Sequence, residues 1–224
     1  DYFERAVELD PELKEALHML ACAYANRLGG KMRAMQAIPR AHQAAAALLK
    51  IDADDTFALG FVNHQLDWDY ASAMANLEYS RKHGGELAFV EYHEGLVSYQ
   101  QGQFDDAIAR IQSAIGMGLA AVKAPALCHL ANLYYAVGRD ALAVVALDQA
   151  RNCTGPIWLH GRLLRIPVAM RMGRLEEARA DLEQTWCQYR EREASLFPEA
   201  FAMLGRTEQA AAILRLNECN WRDG

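Results

Sequence analysis

The chain has 224 residues, 52% of them hydrophobic and 23% charged, with a formal net charge of −6 and a pI near 5.7. An acidic chain of this kind has no global positive field for nucleic acid, and it holds no run of about 18 apolar residues that could span a bilayer. The alanine-rich composition favours closely packed helices, arranged as one large domain or two small ones. The opening DYFER lacks the basic-then-apolar signature of a signal peptide, which says little of a chain that can be a piece of a longer one; the setting expected is cytoplasmic, in keeping with the cysteines. Five cysteines (Cys22, Cys128, Cys153, Cys187, Cys219) are odd in number and widely spaced, with no CxxC pair. They read as buried or idle thiols in a reducing compartment rather than as disulfides or metal ligands.

In chain order, Phe3, Ala6 and Leu9 form one helical stripe that Asp10-Pro11 closes, as in the second helix of a pair whose first helix is missing. Glu12 to Asn26 is expected to be a helix with Leu17, Leu20, Ala21 and Tyr24 on one side, and Leu28-Gly29-Gly30 the turn after it. A longer helix is expected over Met32 to Ile51, bent or split at Pro39, because proline removes a backbone donor and clashes with the preceding turn. Asp52 to Asp55, DADD, resembles a calcium loop in its D-x-D spacing but lacks the glycine and the distal glutamate, so it is expected to cap the next helix. That helix spans Thr56 to about Leu66. Asp67-Trp68-Asp69-Tyr70 follows, with Trp68 as a packing anchor and the aspartates as caps for a helix through Ala73, Leu77 and Ser80 to Lys82. His83-Gly84-Gly85 ends it.

Glu86 to Gln101 carries Tyr92, Gly95 and Tyr99; Gly102 turns the chain; and Phe104, Ala107, Ile111 and Ala114 line the next helix, which stops at Gly116-Met117-Gly118. That Gly-Met-Gly follows a helix rather than a strand, so it is a C-cap and turn and not a phosphate loop. Leu127, Leu130, Ala131 and Tyr134 share one face, Gly138 breaks the run, Ala143, Leu147 and Ala150 start another face, and Gly155-Pro156 stops it. Ile157 to Met172, Gly173, then Leu175, Ala178, Leu182 and Trp186 make a further pair. Ala194 to Leu204, with Pro198 inside, Gly205, Ala210 and Leu214 make the last, and the tail ECNWRDG is polar enough to leave it.

The turn glycines Gly102, Gly138, Gly173 and Gly205 are separated by 36, 35 and 32 residues, and five positions after each stands alanine: Ala107, Ala143, Ala178 and Ala210. A period in the mid-thirties with this pattern marks a solenoid of two-helix units. Glycine accepts the left-handed conformation that ends a first helix, and alanine lets the second helix approach closely.

On these residues the chain resembles the tetratricopeptide repeat family. The fullest match is Leu127, Leu130, Ala131, Tyr134, Gly138, Ala143, Leu147 and Ala150; next are Gly95, Gly102, Ala107, Ile111 and Ala114, then Leu20, Ala21 and Tyr24, with Phe3, Ala6 and Pro11 at the start. The unit from Ile157 departs most, with Ile166 and Pro167 where a small residue is expected. The resemblance implies an all-α, right-handed superhelical solenoid of antiparallel helix pairs in one array over 1–224. Its parts are a half repeat at 1–11 and repeats at 12–53, 54–85, 86–119, 120–156, 157–190 and 191–224. About a third of the chain, FERAVELDP, LACAYANR and DWDYASAMANLEYSRK, also resembles the repeat region of bacterial regulators that carry an N-terminal winged-helix or nucleotide cyclase domain.

No catalytic, cofactor-binding or metal-binding pattern emerges. The histidines His18, His42, His64, His83, His93, His129 and His160 include no two at the spacing that aims both at one metal, and are expected on the surface or in a groove. His93-Glu94 lacks a second histidine, and Cys128-His129 point about 100° apart on a helix, so neither forms a reactive set alone. Ser72, Ser80, Ser98, Ser113 and Ser195 have no suitably spaced histidine. What remains is the face lined by the first helices, where extended ligands of such solenoids lie. Its expected residues are His18, Cys22, Gly60, His64, Tyr92, Leu96, Tyr99, Cys128, Asn132 and Tyr135. Tyr134 is expected in the core, while Tyr92, Tyr99 and Tyr135 stand either in the groove or partly buried between units. By the resemblance, Asn132 occupies the place that pairs with a peptide backbone. His18, Tyr92 and Cys128 stand where a carboxylate clamp for chaperone C-termini needs lysine or arginine, which argues against that ligand.

The function expected is therefore a non-enzymatic scaffold for a protein or peptide, within a larger protein, without nucleic-acid contact or membrane insertion. The alternatives are a regulatory segment of a transcription regulator or cyclase, and a module that homodimerises through its unpaired first helix.

Overall fold

The structure, a computed structural model, describes residues 2–26, 32–151 and 158–222, which are helical with no strand among them. The chain divides into two compact units, Asp1–Gly118 and Leu119–Gly224. In the first, α1 (Tyr2–Leu9) is followed by α2 (Lys14–Ala25) packed on α3 (Ala34–Ile51). Next come α4 (Phe57–Val62), which runs into a π-helical turn (Asn63–Asp67) and packs on α5 (Tyr70–Lys82), and α6 (Leu87–Gln100) packed on α7 (Phe104–Gly116). In the second unit α8 (Ala120–Ala136) packs on α9 (Asp140–Arg151) and α10 (Trp158–Arg171) on α11 (Leu175–Glu193). A 3₁₀ turn (Ala194–Leu196) then leads to α12 (Pro198–Met203), packed on α13 (Thr207–Arg222). No helix among the described residues is long and apolar enough to cross a membrane.

The turns inside these pairs repeat one device. Gly102, Gly138, Gly173 and Gly205 adopt φ of 77, 76, 75 and 77°, where a Cβ would cost about 1–2 kcal/mol. Each glycine N–H donates to the carbonyl three residues back, and the next residue's N–H donates to the carbonyl five residues back: Gln103 to Ser98 (2.9 Å), Arg139 to Tyr134 (2.7 Å), Arg174 to Ala169 (2.8 Å) and Arg206 to Phe201 (2.9 Å). Carbonyls that the helix end leaves without partners are thereby satisfied, and the chain is aimed into an antiparallel second helix. The alanines five positions on, Ala107, Ala143, Ala178 and Ala210, are buried against the first helices, as the spacing requires.

Packing follows the apolar stripes. Leu17, Leu20, Ala21 and Tyr24 of α2 join Ala41, Ala44, Ala45 and Leu48 of α3 and Ala58, Phe61 and Val62 of α4 in one core. Leu127, Leu130, Ala131, Tyr134, Ala143, Leu147 and Ala150 are all buried in the second unit. There, Trp186 stands edge-on to Phe197 and Phe201, its ring centroid 5.1 Å from each. A fully buried leucine or isoleucine in such a core contributes about 1.5–3 kcal/mol. Ion pairs tie each unit across three helices. Glu94 of α6, nearly enclosed, is held by Arg81 of α5 and Arg110 of α7. Arg165 of α10 binds Asp148 of α9 (2.6 Å) and Glu177 and Asp181 of α11 (both 3.2 Å).

Several expectations need correction. Pro39 does not split α3, which runs through it as one element. The amide lost by Pro39 frees the Met35 carbonyl, and both residues are exposed, so water can satisfy it. Pro198 is not inside a helix but opens α12, where its missing N–H costs nothing. The expected helix to Leu66 gives way to the π-helical turn after Val62. Trp68 is no packing anchor: it is 73% exposed and takes a left-handed φ of 56°. Asp69 does cap α5, accepting the Ser72 N–H at 3.1 Å, but Asp67 instead binds Asn63 and His42. At the two ends, Val7 rather than Leu9 packs on the core, and Ile213 rather than Leu214 is buried. His64 and His93 are buried, not on the surface, because they sit among the rings of Phe61, Tyr70 and Tyr92. The expected turns at Leu28-Gly29-Gly30 and Gly155-Pro156, and Cys153, lie outside the described residues.

Candidate functional site

The turns between pairs differ in what their side chains meet, although Gly84 (φ 93°) and Gly118 (φ 77°) repeat the left-handed glycine. In the first unit, α2, the 52–56 turn, the start of α4, the 83–86 turn and the start of α6 enclose a cavity of about 350 Å³. Its walls are Lys14, His18, Asp52, Asp54, Asp55, Phe57, Ser80, His83, Gly84, Gly85, Glu86 and Phe89. The Asp52–Asp55 cluster does not cap α4, whose N-cap is Thr56 with no side-chain cap bond. The aspartates instead reach across the chain. Lys14 Nζ donates to Asp52 at 3.1 Å, His18 Nδ1–H to Asp55 at 3.1 Å, and the Tyr79 hydroxyl to Asp54 at 2.8 Å. Thr56 Oγ1 donates to the Asn76 carbonyl at 2.7 Å, which fixes the end of the turn against α5.

The opposite wall is shaped by backbone. Gly84 has φ of 93°, and the Gly85 N–H donates to the Ser80 carbonyl at 2.8 Å. A Cβ on Gly85 would meet Ser80 Oγ at 2.2 Å, so only glycine lets the chain fold back here. His83 stacks on Tyr79 with centroids 3.8 Å apart and donates from Nδ1 to the Tyr79 carbonyl at 2.8 Å. The apolar part comes from three first helices: His18 lies parallel to Phe57 at 5.6 Å, and Phe57 meets Phe89 edge-on at 6.1 Å.

Charge follows from these contacts. The hydrogen bond to Asp55, and then the contact with Cys22 one turn along α2, push the His18 pKa up to about 10 against its burial. The imidazole is therefore a cation at neutral pH. Asp52 holds the Lys14 pKa up and Lys14 holds the Asp52 pKa down, so this pair is ionised as well. The Tyr79 hydroxyl has its pKa raised by the bond to Asp54 and stays neutral.

The expected site residues are distributed as follows. His18 lines the cavity. His64, Tyr92 and Leu96 are buried; His64 and Tyr92 both pack against His93, at 6.2 and 4.9 Å between ring centroids. Tyr99 is half-buried beside Phe104. In the second unit Cys128 is buried, while Asn132 and Tyr135 are half-buried. The Tyr135 ring lies under the Arg171 guanidinium at 3.8 Å, and Arg171 is itself paired with Asp140. Cys22 and His129 are half-buried and Cys187 is exposed. Among the described residues no group of three His, Cys, Asp or Glu side chains converges on a metal position.

Lys14, Asp54, Phe57, Glu86 and Phe89 line the cavity but stand outside the set expected from the sequence. The available signal is positional: Phe57 and Phe89 both fall in the first turn of a helix that follows a between-pair turn. The arrangement suits binding: ion pairs fix the walls, rings line the interior, and carboxylates stand at the mouth.

No family model matches the chain, and no curated protein matches it. Solved structures do. PilW, described as a widely conserved type IV pilus biogenesis factor, is 18% identical over 85% of this chain and 84% of its own, with a TM-score of 0.64. A tetratricopeptide repeat protein from Parabacteroides merdae is 17% identical over 92% of this chain and 75% of its own, also at 0.64. YrrB, described as a TPR protein with an unusual peptide-binding site, is 16% identical over 89% of this chain and 98% of its own, at 0.53. These likenesses are likenesses of fold: the chain has the all-α fold of tetratricopeptide repeat solenoids.

Proposed function

We propose that the chain is a protein- or peptide-binding scaffold with no chemistry of its own. In this reading the repeats expected over 12–224 act as one array within a larger protein, and their first helices hold an extended partner. The observation that carries it is the division of labour among residues. Those inside each pair are committed to packing, while the between-pair turns of the first unit build a cavity with fixed walls and unneutralised carboxylates. The fold shared with YrrB, a protein described by its peptide-binding site, supports the same reading. Asn132 and Tyr135, both half-buried on α8, are the proposed contacts of the second unit, with Asn132 offering an amide to a peptide backbone.

A display library of random peptides tests this. Enriched peptides are expected to bind the purified chain by fluorescence anisotropy. Asn132→Ala is expected to weaken them about fivefold, the loss of roughly one hydrogen bond. A library that enriches no peptide, or affinities that ignore changes on α8 and around the cavity alike, would sink the reading.

A further inference from the structure

We propose that the cavity of the first unit takes the cationic side chain of an arginine or lysine in a partner peptide. This deepens the peptide-binding reading above and rests on it.

Charge sets the sign of the ligand. Four carboxylates line the cavity, Asp52, Asp54, Asp55 and Glu86, against the cations Lys14 and His18. Lys14 is committed to Asp52 and His18 to Asp55, each at 3.1 Å. Asp54 receives only a neutral phenol hydrogen bond, and Glu86 makes no ion pair among the described contacts. Both of these residues are exposed, so two net negative charges stand in water where a ligand enters. An anionic partner would find both cations already occupied and would face this excess.

The interior adds the second requirement. Phe57 and Phe89 are half-buried, with rings set edge to face, and offer apolar surface to a long alkyl stem, leaving its charged end to the carboxylates at the mouth. Arginine and lysine combine these two properties in one side chain. The cavity volume of about 350 Å³ falls within the range of small-ligand sites. Its walls are already ordered by the ion pairs, by Thr56 on Asn76 and by Gly85 folded against Ser80, so little must be fixed on binding. The net charge of −6 favours encounter with a basic partner.

The test uses the intact chain and two short blocked peptides, one with arginine amid glycines and one with citrulline, its neutral isostere, in its place. The arginine peptide is expected to bind, and the citrulline peptide to bind about tenfold more weakly. Asp54→Asn combined with Glu86→Gln is expected to weaken the arginine peptide about three- to tenfold, as two partly screened charges would. Raised salt is expected to weaken it further. Absence of binding by the arginine peptide, equal binding by citrulline, or indifference to the double substitution each overturns the proposal. If library peptides still bind and respond to Asn132→Ala in such a case, the broader reading stands and only the cavity's assignment falls.

Discussion

At Gly102, Gly138, Gly173 and Gly205 the chain turns the same way four times, with the same φ and the same pair of hydrogen bonds. At 52–56 it turns without a glycine, and Lys14, His18 and Tyr79 reach the side chains of Asp52, Asp55 and Asp54 from distant positions. At 83–86 Gly84 takes φ of 93° and the Gly85 N–H donates to the Ser80 carbonyl five residues back, as inside the pairs, but the turn lines a cavity. The first kind of turn is dictated by local stereochemistry and by the close approach of two helices, which leave little choice of side chain. The second kind can be fixed by glycine as well, as at Gly84-Gly85, but the side chains beside it, Asp52, Asp54, Asp55 and Glu86, line a cavity and are available for charge and shape.

This contrast can be broken experimentally. The largest effect is expected inside a pair. Ile111→Ala empties a fully buried site beside Ala107 and should cost about 2–5 kcal/mol in urea unfolding. Next comes the turn itself: Gly138→Val forces a β-branched residue to φ of 76° and should cost about 1–2 kcal/mol. A loss below a few tenths of a kcal/mol would mean that the turn is not under stereochemical control.

The His18–Asp55 pair sharpens the comparison through pH. The folded-state pKa of about 10 lies above the ordinary value of 6.5, so the folded chain holds this proton more tightly than the unfolded one. The stabilisation is therefore complete below about pH 6.5 and lost as pH rises through about 10. The gap in urea midpoint between the wild type and His18→Gln should shrink across that window. A gap that stays constant or widens with pH would contradict the pairing. The smallest effect is expected at the mouth of the cavity, where Asp54→Asn and Glu86→Gln should each change stability by no more than about 0.5 kcal/mol.

The same contrast explains what could be read in the sequence. Gly102, Gly138, Gly173 and Gly205, with their following alanines, were legible because a left-handed turn and a tight helix contact each admit few residue types. Tyr134 was legible as core for the same reason. Trp68 was misread because its character suggested burial, whereas the π-helical turn before it rotates it into solvent with φ of 56°. The aspartates at 52–55 have the look of caps, and nothing local reveals that Lys14, His18 and Tyr79 will reach them from distant positions. Phe57 and Phe89 lay hidden for that reason too, since the cavity exists only once separate pairs are packed together.

The central claim is that binding is separated from packing, with the between-pair cavity serving the first and the glycine-turned pairs the second. Its most direct test measures urea midpoint and arginine-peptide affinity together on the Asp54→Asn, Glu86→Gln double variant. The account predicts a midpoint close to that of the wild type with affinity reduced several-fold. A lowered midpoint with unchanged affinity would contradict it.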